Sequence, residues 1–353
     1  MNKIHQRFSV RKKIEEGEEK IFSSLAQFSA QSQGRRRPET QDDLRTCYQV
    51  DRDRIIYSPS FRRLKFKTQV FIEPIHDDTR TRLTHTLEVV QLSRTLARAL
   101  RLNEDLTEAI ALGHDLGHVP FAHVGEEVLD QLSDFGFHHS IQSLRVVDFL
   151  EKNGSGLNLS AEVRDGIAGH SKSQSSIFDP VSSTDDLTRE ALIVRYCDSV
   201  AYLNHDIEDA VRAGYLNPSD IPDRARSVLG RSSRERIENT IRDMILTSRE
   251  EKTVTMSPKV GRATDILRNF MFEELYLKLS ESAIDREAYR VMEELYDFFS
   301  RNPELIYRRH PFLKNNGNHN PVVDFISLQS DFSIVKLYKK YIKKPLRYLP
   351  DYG

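Results

Sequence analysis

Five of the chain's twelve histidines, His114, His118, His123, His138 and His139, fall within residues 114–139, and Glu126 stands among them. Imidazole and carboxylate groups together suit a divalent cation such as Mn, Fe, Co or Mg. Single histidines on helix surfaces are common, so clustering alone decides little. The sharper signal is the combination of His85, the adjacent pair His114 and Asp115, and Asp198 on a later segment. Such a set would hold an ion and leave positions open to water and phosphate oxygens. The ion would polarise a phosphoryl oxygen and bring a bound water toward a neutral pKa. Arg82 precedes His85 by three residues, which puts its guanidinium on the same helical face, where it can grip an α-phosphate through paired hydrogen bonds. His123 and Glu126 are also three apart and share a face; the competing reading of Glu126 is a first-turn carboxylate stabilised by the helix dipole. Tyr202 and Asp206 follow Asp198 by four and eight residues, a stripe along one helix. Lys67 and Arg62 are basic groups available to phosphates, with plain solvation as the alternative.

These residues must be positioned by helices. Leu83, Leu87, Val90, Leu92, Leu96 and Leu100 recur at mostly three- and four-residue steps, the stripe of a buried-face helix carrying His85. A second apolar segment runs from Leu106 to Gly113 directly into His114 and Asp115, and Val119-Pro120-Phe121 breaks the chain before another helix near Val124. Further helices are expected over 140–151, 161–169, 188–214, 234–247, 263–279 and 286–300. The Ser- and Asp-rich stretch 171–186 reads as a loop. Strict alternation of β-branched residues is scarce, so the expected fold is all-α. Its expected parts are an N-terminal arm over 1–45, a helical core over 46–220 and a helical C-terminal region over 221–353 packing on that core.

Composition narrows the function classes. Lys and Arg total 52 against 53 Asp and Glu, so no global field favours nucleic acid or membrane, and attraction for an anion must be local. The basic run Arg35-Arg36-Arg37 has a solvated tail as its bland reading. Two cysteines without a CxxC pair fit a reducing compartment, and neither a leader nor a membrane span is evident. A cytoplasmic protein is the expectation.

The order H…HD…D resembles the metal signature of the HD superfamily, and the surrounding text resembles its dGTPase-like branch. The likeness rests on residues 81–89, TRLTHTLEV, and on 113–126, GHDLGHVPFAHVGE. It also rests on FRRL at 61–64, KTQVF at 67–71, Gly136-Phe137 with His139, QSLR at 142–145, HSK at 170–172 and DSVAYLNHD at 198–206. Departures are Lys65 for the usual glutamine, Ser140 for asparagine, Cys197 for a small residue, and the segment 322–326.

That resemblance implies an HD-domain helical core and metal-dependent hydrolysis of deoxynucleoside triphosphates, dGTP or dNTPs generally, to deoxynucleoside and inorganic tripolyphosphate. It implies His85, His114, Asp115 and Asp198 as ligands of Mn²⁺, Mg²⁺ or an Fe or Co ion. His123 would be the acid-base histidine, oriented by Glu126, with His139 near the phosphates and His118 packing beside the metal helix. In the related mammalian SAM- and HD-domain triphosphohydrolase, residues matching Tyr202, Asp206 and Gln69 contact the nucleotide. The resemblance further implies a homo-oligomer, hexamer or tetramer, with allosteric regulation by nucleotide. Two alternatives stand beside it. One is an HD hydrolase of another nucleotide, a 5′-nucleotidase or phosphodiesterase. The other is a regulator that binds nucleotide or single-stranded nucleic acid through the Arg35 to Arg37 run.

Overall fold

A computed structural model describes residues 9–72, 78, 80–171, 187–315, 317 and 319–350. The expected 171–186 loop therefore lies, apart from Ser171, outside the described residues. The fold is all-α: among the described residues the only β pairings are two isolated bridges, Arg35 with Ser160 and Thr68 with Thr81. No described helix is long and apolar enough to cross a membrane.

At the centre is the helix Glu104–Gly113. Asn103 caps it by accepting from Leu106 N at 3.1 Å, and Glu104 and Asp105 complement the dipole in its first turn. Leu106, Ala109, Ile110, Ala111 and Leu112 are all buried, so the helix is apolar nearly all round. It packs against the helices Cys47–Ile56, Arg82–Leu100, Ala161–Gly169 and Arg189–Arg212. The contact with Ala161–Gly169 is glycine-dependent. A Cβ on Gly113 would lie 2.5 Å from Ile167 Cδ1, and one on Gly166 would lie 2.5 Å from Ile110 Cδ1. Both helices end in Gly-His, Gly113-His114 and Gly169-His170, so their close packing brings the two imidazoles to 5.1 Å between ring centroids.

The buried face of Arg82–Leu100 keeps most of the expected stripe, with Val90 and Leu96 buried and Leu83, Leu92 and Leu100 packed on the core, but it is wider and more polar than that stripe. Leu87 is 50 % exposed, while Arg82, His85, Thr86, Val89, Ser93, Leu96 and Ala97 are buried. The helix turns polar residues inward because its first turns line a site rather than a hydrocarbon core, and hydropathy periodicity reads that face as outside.

The turn after His114 and Asp115 is pinned by a later helix, His139–Arg145. Ser143 Oγ donates to His114 O at 2.6 Å and accepts from Gly117 N at 2.8 Å. A Cβ on Gly117 would meet Ser143 N at 2.1 Å and Gln142 C at 2.3 Å, both backbone. Backbone cannot rotate aside, so Gly117→Ala is expected to cost about 3 kcal/mol or more in urea unfolding; a loss below about 1 kcal/mol would mean the turn sits farther from that helix.

C-terminal segments lock the same region. Asp331 accepts from Thr68 N at 3.0 Å and from Phe121 N at 3.1 Å, fixing Phe121 at φ +61° where the chain enters the helix Ala122–Leu132. Asp324, buried, holds Arg145 through two 2.7 Å bonds. Lys67, offered above as a phosphate group, is instead 2 % exposed and donates to the carbonyls of His118 and Ser327. Burial has turned a basic residue into a tether.

The arm is anchored as well. Glu18 is buried and accepts from Ser29 N and Oγ at 2.8 and 2.6 Å, and Arg35 is ion-paired with buried Asp51. Arg36 pairs with Asp148 at 3.0 Å, so Arg35 and Arg36 are both engaged within the chain. Glu190 Oε1 accepts from Gln27 N of the arm and Asn103 N of the central helix, each at 3.0 Å. Burial raises Glu190 from 4.5 to about 7. The folded chain then holds a proton that the unfolded chain releases, so this contribution is full below pH 4.5 and is lost as pH rises to about 7. Glu190→Gln should flatten the pH dependence of the urea midpoint between pH 5 and 8; an unchanged slope would assign it to other groups.

Candidate metal centre and active site

His85, His114 and Asp115 arrive from two neighbouring helices and place one ligand atom each within 4.8 Å of one another. Asp198, on Arg189–Arg212, joins them: its Oδ1 is 3.1 Å from His85 Nε2 and 3.7 Å from His114 Nε2. Asp115 Oδ2 is 3.5 Å from His114 Nε2 and 4.0 Å from His85 Nε2. Donors about 2.1 Å from one ion stand roughly 3 to 4 Å apart in an octahedral shell, so these spacings fit a divalent cation.

Protonation fits too. Burial opposes charge on Asp198, but the His85 hydrogen bond and nearby His114 bring it down to about 2. Burial likewise opposes charge on Asp115, yet His114 and Arg82 hold it well below the usual carboxylate range. Burial lowers His85, favouring the neutral ring that ligates. His114 Nδ1 lies 2.7 Å from Ala111 O, so that nitrogen carries the proton and leaves Nε2, buried and without a hydrogen-bond partner, facing the cluster.

Arg82 is buried and committed. It donates to Asp115 Oδ2 at 2.8 Å, to Thr68 O at 3.2 Å and to Gln69 O at 3.3 Å. The expected grip on phosphate is thus a grip on the Asp115 carboxylate, because a guanidinium buried beside a carboxylate pairs with it.

Glu126 engages His139 rather than His123. Its Oε1 accepts from His139 N at 2.9 Å and lies 2.9 Å from His139 Nδ1. Burial disfavours the charged ring of His139, but Glu126 outweighs it and lifts the pKa above its ordinary value. The shared face expected for His123 and Glu126 exists, but the chain returning through the helix His139–Arg145 claims the carboxylate. His118 stacks on His139 with centroids 4.4 Å apart and reaches within 3.9 Å of Asp115 Oδ1, closer to the ligands than a packing role implies. His123 is exposed and meets the Tyr276 ring edge-on at 5.9 Å. Surrounding protein, then Arg82, lowers its pKa.

On the far side of the cluster, Tyr276 Oη donates to Asp206 at 2.5 Å, and burial raises Asp206 to about 7. Tyr202 is half-buried on the same helix. Arg62 stays on the surface, bonded to Tyr57 O at 3.1 Å, and is not drawn into the site. Gln69 Oε1, His118 Nδ1, His170 Nε2 and Asp206 Oδ1 are buried without hydrogen-bond partners, as His114 Nε2 is. Native interiors leave few such atoms, so their concentration here marks a place built for something else to bind.

The sequence matches the HD domain over residues 82–203 and the phosphohydrolase-associated domain over residues 254–340. It is 46% identical over 338 residues to the deoxyguanosinetriphosphate triphosphohydrolase-like protein of Caldanaerobacter subterraneus, covering 95% of this chain and 97% of the relative. The chain belongs to this triphosphohydrolase-like family of HD-domain phosphohydrolases. A relative of the same description from Clostridium perfringens is 44% identical over 349 residues, 96% of this chain and 99% of that one. A hypothetical protein from Aquifex aeolicus superposes with a TM-score of 0.44 at 16% identity, over 83% of this chain and 71% of that one. In this HD-domain phosphohydrolase the HD region carries His85, His114, Asp115 and Asp198, while the associated region supplies Tyr276, Asp324 and Asp331. Sequence reading gave no role to Tyr276 or His170. Nothing local flags Tyr276, which sits on a π-helical turn, whereas His170 had a signal in the second Gly-His helix end.

Proposed function

We propose that the chain hydrolyses deoxynucleoside triphosphates, dGTP or dNTPs generally, at the α-phosphorus, releasing deoxynucleoside and inorganic tripolyphosphate. The observation that carries this reading is the convergence of His85, His114, Asp115 and Asp198, with Asp206 eight residues after Asp198 on the same helix and Tyr276 touching both Asp206 and His123, in a chain whose relatives bear that description. A divalent ion, Mn²⁺ or Mg²⁺, when bound there, would polarise the α-phosphoryl oxygens and acidify a water. Arg82 keeps Asp115 ionised and oriented. His123 gives its proton to the departing 5′ oxygen, and its exposure leaves it free to reach a leaving group. His139, aligned by Glu126, turns its other nitrogen toward the phosphates. Asp206 Oδ1 accepts the sugar 3′ hydroxyl, Gln69 Oε1 takes a second sugar contact, and Tyr202 packs under the deoxyribose where a 2′ hydroxyl would collide. We extend the proposal to homo-oligomeric assembly with nucleotide regulation.

The test is incubation of purified protein with Mn²⁺ or Mg²⁺ and each deoxy- and ribonucleoside triphosphate, singly and mixed, with products resolved by anion exchange. Deoxynucleoside and tripolyphosphate in equal amounts, with little ribonucleotide turnover, is the expected result. Nucleoside monophosphate with pyrophosphate, or stepwise release of phosphate, would contradict it.

A further inference from the structure

Asp331 follows Phe121 by 210 residues and Thr68 by 263, yet its carboxylate binds both. Oδ1 accepts from Phe121 N at 3.1 Å, while Oδ2 accepts from Thr68 N at 3.0 Å and from Thr68 Oγ1 at 2.5 Å. We propose that Asp331 is a positioning residue for the reaction, aiming His123 through Phe121 and the Gln69 segment through Thr68; this rests on the preceding reading, in which His123 is the acid and Gln69 a sugar contact. All three partners are donors, so both oxygens are committed as acceptors. Asp331 is 3 % exposed and opens the helix Asp331–Tyr341, whose N-terminal dipole favours a carboxylate. Burial raises its pKa, and the bonds from Thr68 and Phe121, then the charge of Lys67, oppose that rise.

The backbone that Asp331 holds is strained and sits directly before His123. Phe121 and Ala122 lie at φ +61° and +50°, two successive non-glycine residues in the left-handed region. L-residues resist that conformation, and it persists only where the surroundings over-determine it. Phe121 is the N-cap of Ala122–Leu132 and has no polar side chain to close the turn, so the bond from its N–H to Asp331 does so. The turn has no slack, because a Cβ on Gly125 would lie 2.0 Å from Pro120 O. Relaxation of Phe121 or Ala122 would swing His123 off its place against the Tyr276 ring. On the other side, Thr68 immediately precedes Gln69, whose Oε1 is buried without a hydrogen-bond partner, and Thr68 O accepts from Arg82 Nε at 3.2 Å. One buried carboxylate of the associated region thereby fixes the acid and the sugar contact relative to each other.

The experiment compares the parent with Asp331→Asn on dGTP and on a nucleoside-free triphosphate ester with a p-nitrophenolate leaving group. The amide has the same shape but one acceptor oxygen, so it must turn its NH₂ toward either Thr68 N or Phe121 N. Turnover of dGTP is expected to fall by about 10²-fold, the scale of a misplaced catalytic group, while turnover of the aryl ester, which needs neither the acid nor a sugar contact, stays near the parent's. Equal losses on both substrates, or unchanged dGTP turnover, would overturn the positioning role. Should Asp331→Asn fail to fold by its thermal transition, Ala122→Gly decides: glycine adopts φ +50° without strain and loosens the same turn, and the same substrate-selective loss is expected. A parent inactive on dGTP would contradict the reaction rather than the positioning. The ¹³C-labelled ring resonance of His123, assigned by its loss in His123→Gln, then decides the latter: it is expected to shift in Asp331→Asn, and an unmoved resonance would overturn the role.

Discussion

Asp115→Asn is expected to lower turnover by at least about 10³-fold, the scale of losing an electrostatic group that acts on the transition state. Two physical losses combine. The amide is a poor ligand, and Arg82, 4 % exposed, loses the carboxylate it pairs with at 2.8 Å. An unpaired buried guanidinium costs about 3 to 5 kcal/mol, offset in the metal-free protein by relief of repulsion from Asp198. Steady-state kinetics with dGTP and metal content per chain check the first loss, and urea unfolding of stripped protein checks the second. Retained turnover with full metal content would remove Asp115 from the ligand set.

His123→Gln is expected to reduce kcat with a deoxynucleoside triphosphate by about 10³-fold, the contribution of a positioned general acid. Two features separate this from structural damage. His123 is exposed, so folding stability should change by less than about 0.5 kcal/mol. A nucleoside-free triphosphate ester with a p-nitrophenolate leaving group needs no protonation, so the variant should approach parent turnover on it. Equal losses on both substrates would deny His123 the acid role and point to His139.

The four-residue cluster was legible because its types and order carry the chemistry without knowledge of packing, and the fold brings His85, His114, Asp115 and Asp198 within ligand distance. The helices around them were legible for a local reason as well, since apolar periodicity marks both Glu104–Gly113 and Ala161–Gly169. What failed depends on burial and long-range return of the chain. Lys67 reads as a phosphate group until the C-terminal segment covers it and supplies the Ser327 carbonyl, 260 residues away in sequence. Glu126 reads as the partner of His123 because i,i+3 spacing is visible, whereas His139 reaches it through a turn whose course no periodicity states. Leu87 reads as core because it is leucine, but its helix buries the polar face of Arg82, His85 and Thr86 instead. Tyr276 touches Asp206 from a region matched to a different domain, and only the fold joins them.

The most direct test of the account is hydrolysis of dGTP in H₂¹⁸O with Mn²⁺, followed by mass spectrometry of the products. Attack at the α-phosphorus with cleavage of the bond to the 5′ oxygen places one ¹⁸O atom in tripolyphosphate and none in deoxyguanosine, which is the predicted result. Label in deoxyguanosine, or its appearance in pyrophosphate or orthophosphate with dGMP or dGDP as co-product, would contradict it.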